Sequence, residues 1–131
     1  MGDDKKLTFP KDERIFWKRH LDLLFSEGQS FVAYPLRVIY FPIEKAQANA
    51  VASIVISVSK KKFKHAIDRN AIKRRIRESY RLQKHELIDF FEKKESALLV
   101  AFLYLSKEKS SFETIDKAIS KAIRLLIQKY E

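Results

Sequence analysis

The stretch from Ile67 to Lys84, IDRNAIKRRIRESYRLQK, constrains the fold of this chain more than any other. Wound as an α-helix at about 100° per residue, it places Arg69, Asn70, Lys73, Arg74, Arg77, Arg81 and Lys84 within one arc of roughly 140°. Ile72, Ile76 and Tyr80, spaced four apart, form an adjacent apolar stripe. Such a helix docks on a core by one side and presents a dense row of cations on the other. Like charges at i,i+4 destabilise an isolated helix by about 0.2–0.5 kcal/mol per pair, and the acids inside the stretch are Asp68 and Glu78. The face makes physical sense opposite a polyanion.

The rest of the composition agrees. The net charge is +10 and the isoelectric point about 9.8, a balance that points to nucleic acid or an acidic membrane surface. No apolar run is long enough to span a bilayer, and the N-terminus MGDDKKLTF lacks the apolar core of a signal peptide. A cytoplasmic location is therefore expected. The chain has no cysteine, which excludes disulfides, zinc–thiolate sites and thiol nucleophiles. With 131 residues, 46% of them hydrophobic, it is expected to form one domain over residues 1–131, with polar residues 1–9 loose.

Along the chain, Lys11 to Glu27 reads as a first helix, with Pro10 in its opening turn, Asp12 and Glu13 at its positive end, and Gly28 as its stop. Ser30 to Ile43 is rich in β-branched and aromatic residues and reads as one or two strand pieces, Pro35 and Pro42 favouring an edge or a bend. Polar Glu44 to Ala50 predicts a hairpin into the next strand, Val51 to Ser59. Lys60 to His65 is a basic connector into the arginine-rich helix, and Leu87 to Lys94 either continues that helix or forms a separate turn. Ser96 to Leu105 is a nearly continuous apolar run, the pattern of a strand covered on both sides. Ser111 to Tyr130 closes the chain as a helix, capped by Ser110 or Ser111, with Ile115, Ala118, Ile119, Ala122, Ile123 and Leu126 as its core stripe. This order predicts an α+β fold, a single-domain two-layer sandwich with helices on a small sheet.

Catalytic constellations are thin. His20, His65 and His85 are scattered, no carboxylate cluster suited to two metals stands out, and the two glycines cannot build a phosphate-cradling loop. A basic run such as KRRIR also occurs on plain solvated surfaces and in nuclear-localisation signals, but here the cations recur at helical spacing after Lys60, Lys61 and Lys62. Asn70 suits a phosphate, a ribose hydroxyl or a metal's water shell, and equally a local cap. Exposed aromatics, with Phe25 and Tyr40 as candidates, suit stacking of unpaired bases. The chain reads as a binder with no catalytic and no metal-ligating residue of its own.

Ile56 to Lys61, ISVSKK, followed by RNAIKRRIRESYR over Arg69 to Arg81, resembles the protein component of bacterial ribonuclease P. The resemblance covers the chain from about Leu7 onward. It implies the element order α-β-β-β-α-β-α on a mixed sheet, with a left-handed βαβ crossover. It also implies an RNA-binding subunit of an endoribonuclease, in which a catalytic RNA with Mg²⁺ removes the 5′ leader from precursor tRNA. By resemblance, Arg69, Asn70, Lys73, Arg74, Arg77 and Arg81, with Lys60 and Lys61, meet the catalytic RNA. Phe25, Tyr40 and Leu21 line a cleft for the single-stranded leader, Leu21 standing where many relatives carry an aromatic residue. Mg²⁺ belongs to the RNA-containing holoenzyme rather than to a protein site, and the expected partners are the two RNAs, with neither DNA nor a membrane among them. The connector Lys62 to Asp68 lacks the glycine many relatives have there. The rival readings are a general RNA-binding or ribosome-associated module and a protein-only nuclease.

Overall fold

The computed structural model describes residue 14 and residues 17–131. Its elements are α1 (Lys18–Glu27), β1 (Gln29–Ala33), β2 (Leu36–Glu44), a 3₁₀ turn at Lys45–Gln47, β3 (Ala52–Ser57), α2 (Ala66–Glu92), β4 (Ser96–Tyr104) and α3 (Phe112–Tyr130). α1 is shorter than the sequence predicts. Trp17 is still extended, so the helix opens at Lys18, while Pro10, Asp12, Glu13 and residues 1–9 lie outside the described residues.

The apolar run SALLVAFLY takes the centre of the sheet as β4, in the order β1-β2-β4-β3. β2 pairs with it antiparallel from Leu36↔Tyr104 to Glu44↔Ser96, and β3 pairs parallel from Ala52↔Leu98 to Ser57↔Leu103. A hairpin across Glu44 to Ala50 does not form. The chain turns instead at Tyr34-Pro35, pairing β1 with β2, and then passes to the far side of β4. A β2–β3 hairpin would have left apolar β4 at an edge; inserting it between them pairs both its edges, while helices cover its two faces. Pro42 is tolerated because β1 pairs with β2 only over residues 36–40, leaving one side of β2 open there.

Alternation along the strands divides the interior into two. Val38, Tyr40, Ile54, Leu98, Val100 and Phe102 face α2 and α3 and form the larger core with Ile72, Ile76, Leu87, Phe91 and the whole predicted stripe of α3. This is the expected sandwich. Residues on the other sheet face, including Ile43, Ala97, Leu99 and Ala101, pack against Leu24 of α1 in a smaller cluster. α2 runs unbroken to Glu92, so Leu87 and its neighbours continue the helix. Between α2 and α3, Asp116 accepts hydrogen bonds from Ser79 Oγ (2.6 Å) and Gln83 Nε2 (2.8 Å), fixing the pair laterally. Ser111 caps α3, its side chain accepting from the Thr114 amide.

Candidate nucleic-acid interface

Taking Ile72 as zero on the α2 wheel, the fully buried Ile76, Leu87, Tyr80 and Phe91 lie between about 40° and 100°. Exposed Asn70, Arg74 and Arg77 lie between about 140° and 200°, with half-buried Lys73 at the border. Lys84 is a correction. At about 120° it falls beside Phe91, and it is only 2% exposed, so it does not belong to the open row. Arg81 is already engaged, donating from Nε (3.0 Å) and Nη2 (2.6 Å) to the two carboxylate oxygens of Glu78. The hydrogen bond from Arg81 holds the Glu78 carboxyl below the usual carboxylate range, and the same bond raises the Arg81 guanidinium. The free cationic edge is thus centred on Arg74 and Arg77.

Two contacts on the opposite side of α2 fasten the β4–α3 loop. Arg75 Nη1 donates to the Ser110 carbonyl at 2.7 Å, and Lys109 Nζ donates to Asp68 at 2.8 Å. The Lys109 hydrogen bond is the main reason the Asp68 carboxyl is held below its usual value.

The connector into α2 follows a defined path. Phe63 is buried with its ring 6.0 Å from that of Tyr104, its amide donates to the Ser59 carbonyl at 3.1 Å, and Lys62 Nζ donates to the Leu105 carbonyl. Arg69 Nη1 donates back to the carbonyls of Phe63 (2.8 Å) and Lys64 (3.0 Å). Lys60, Lys61, Lys64 and His65 remain exposed on this anchored segment. His65 occupies the N-cap position of α2, so exposed Asn70, inside the helix, is not its cap.

The smaller sheet face is only partly covered. The ten-residue α1 packs mainly over β2 and β4 and leaves the flanks of this face less covered. Ile39, Phe41, Val55 and Leu103 therefore stay partly exposed around the buried Leu24 cluster. Phe25 of α1 is 51% exposed, and Leu21, one turn earlier, packs half-buried at the edge of the same cluster. Strand register places Arg37, Leu103 and Ser57 side by side at one end of this floor, and Ser57 leads within three residues to Lys60.

Tyr40 is not part of that floor. Successive residues of a strand face opposite ways, and Tyr40 points towards α3. Its ring lies 5.9 Å from Phe31 and 6.2 Å from Tyr130, its hydroxyl donates to Gln29 at 2.9 Å, and it is 4% exposed. Burial raises its pKa, and the same cause, assisted by Tyr40, pushes Tyr130 up to about 12. The structure thus brings Phe25 and Leu21 together and puts Tyr40 on the other face; Ile39 and Phe41 take the place expected of it. The period-two alternation of VIYFPI carried that signal, once one knows which face α1 covers.

Among the described residues, no three His, Cys, Asp or Glu side chains converge as metal ligands, and no helix is long and apolar enough to cross a membrane.

The family model for Ribonuclease P matches residues 9–127. A ribonuclease P protein component of Porphyromonas gingivalis is 39% identical over 113 residues, covering 86% of this chain and 82% of that protein. One from Chlorobaculum tepidum is 32% identical, covering 82% of this chain and 73% of its own length. A solved structure of the Staphylococcus aureus RNase P protein superposes with a TM-score of 0.67 at 21% identity, covering 88% of this chain and 96% of that one. The RNase P protein from Thermotoga maritima gives a TM-score of 0.64 at 21% identity, covering 91% and 98%.

Proposed function

The chain belongs to the ribonuclease P family, and on that premise we propose how it serves as the protein subunit of this endoribonuclease. α2 meets the ribonuclease P RNA through Asn70, Lys73, Arg74 and Arg77, with Lys60 and Lys61 extending the contact and Arg81 contributing after release from Glu78. Each cation that neutralises a phosphate releases counterions and adds about 0.7–0.9 to the salt slope of binding. The 5′ leader of precursor tRNA lies along the open floor beside α1. Its bases stack on Phe25 and Phe41, with Leu21, Ile39 and Leu103 as apolar walls; such stacking tolerates any base because every base has a π-face.

The observation that carries this reading is the continuity of the two surfaces. The apolar floor ends at Ser57, and the exposed lysines begin at Lys60. One partner crowded with phosphate and one unpaired strand can therefore bind side by side. The cleavage depends on Mg²⁺ in this reading. In this proposal the ion belongs to the RNA-containing holoenzyme, while the protein binds, orients and neutralises.

The test is cleavage of a leader-bearing precursor tRNA at low Mg²⁺ by a bacterial ribonuclease P RNA, with and without this protein. Accurate cleavage restored by the protein, and none by the protein alone, is the expected result. Binding of both RNAs without any change in rate would instead identify a general RNA-binding module.

A further inference from the structure

Arg69 opens the basic motif, yet its guanidinium is turned away from the exposed row of α2. From about 60° on the wheel it sits on the buried side of the helix, one turn before the core begins at Ile72. There Nη1 holds the carbonyls of Phe63 and Lys64 at 2.8 and 3.0 Å. Both carbonyls belong to the segment between β3 and α2, where no regular ladder exists to satisfy them. A charged donor shared between two backbone oxygens is a strong tie. It also fits Arg better than Lys, whose ammonium is a point charge rather than a planar donor.

The tie acts on a segment rich in charge. Phe63 is anchored in the core and Lys62 is drawn to the Leu105 carbonyl, while Lys60, Lys61 and Lys64 point into solvent from the same short stretch. Lysine ammoniums on a loose loop would lose conformational entropy on meeting phosphate; on a fixed loop much of that cost is already met in the free protein.

We propose that Arg69 is a positioning residue: it fixes the Lys60–His65 connector, and it strengthens RNA binding through Lys60, Lys61 and Lys64 rather than through a phosphate contact of its own. The inference rests on the reading that this face meets the ribonuclease P RNA. It departs from the role the motif by itself suggests for Arg69.

A double-mutant cycle decides it. Affinity for a bacterial ribonuclease P RNA is measured across a salt series for the wild type, for Arg69→Gln, for a triple variant with Lys60, Lys61 and Lys64 each changed to Gln, and for the combination. In the wild-type background, Arg69→Gln is expected to lower affinity several-fold at every salt concentration with little change in slope, because the lysine contacts are still made but at a greater ordering cost. In the triple background it is expected to change slope and affinity little. Equal losses of about one contact in both backgrounds would overturn the proposal. Amide hydrogen exchange on the free full-length proteins supplies a readout independent of RNA. Exchange over residues 60–65 should quicken in Arg69→Gln while the sheet and the rest of α2 keep their protection; unchanged exchange in that segment would also overturn it. A wild type whose RNA affinity shows no salt dependence would remove the reading of the face itself, and the proposal with it; the wild-type arm alone reveals that failure.

Discussion

Gly28 shows how one residue's space, rather than its flexibility, calls for glycine at the end of a helix. Its backbone is ordinary extended chain, with φ −70° and ψ 153°, so no left-handed conformation calls for glycine. A Cβ there would lie 2.8 Å from Ile39 Cγ2 and 3.1 Å from the Tyr40 carbonyl, with the Leu24 carbonyl nearer still. Gly28→Ala should therefore destabilise the protein by about 1–3 kcal/mol through forced backbone shifts, read as a lower denaturant midpoint at unchanged slope. His20, 5% exposed on α1, is a second single-residue case. Burial, and then neighbouring Arg19, lower its pKa below the ordinary 6.5. As pH falls through 6.5 the unfolded chain takes up a proton that the folded chain resists. The contribution of His20 is present above that pH and is lost as pH falls through the lowered folded value. Denaturation at pH 8 and at pH 5 should show the wild type losing more stability than His20→Gln; equal losses would mean that the imidazole titrates alike in both states.

At the scale of the element, α2 divides its own basic residues by what packs beside them. Arg74 and Arg77 are exposed, Arg69 and Arg75 hold backbone carbonyls, Arg81 pairs with Glu78, and Lys84 is enclosed. Arg77→Ala should weaken binding to the ribonuclease P RNA and lower its salt slope by about 0.7–0.9. Its folding stability should stay within about 0.5 kcal/mol of the wild type, as befits an exposed position. Lys84→Met should leave the salt slope unchanged, because a side chain 2% exposed cannot reach a phosphate. A drop in slope for Lys84→Met alongside none for Arg77→Ala would reverse the assignment of faces. The helix itself was readable from spacing: Ile72, Ile76 and Tyr80 are each fully buried. The partition of its cations was not, since a wheel gives directions but not the loop carbonyls and the neighbouring helix that wait along them.

For the whole molecule, the decisive arrangement is a sheet with a large core on one face and a short helix on the other. Phe25→Ala should reduce the preference for leader-bearing over leaderless tRNA by about 1–3 kcal/mol, the contribution of one stacked base. Tyr40→Phe should leave that preference intact, because its hydroxyl is turned inward to Gln29; a larger loss from Tyr40→Phe than from Phe25→Ala would put the leader on the wrong face of the sheet. Much of this plan is determined by sequence alone. The apolar run of Ser96 to Tyr104 demands cover on both sides, the stripe of α3 demands a core, and the arginine helix demands a polyanion, because each is a local pattern of burial or charge with one stable resolution. Tertiary structure decided what depends on distant partners. It seated β4 between β2 and β3 in place of the expected hairpin, an arrangement that pairs both edges of that strand and leaves its two faces to α1 on one side and to α2 and α3 on the other. It turned Tyr40 inward and Phe41 towards α1, because strand alternation fixes two faces without saying which of them a ten-residue helix will leave partly open.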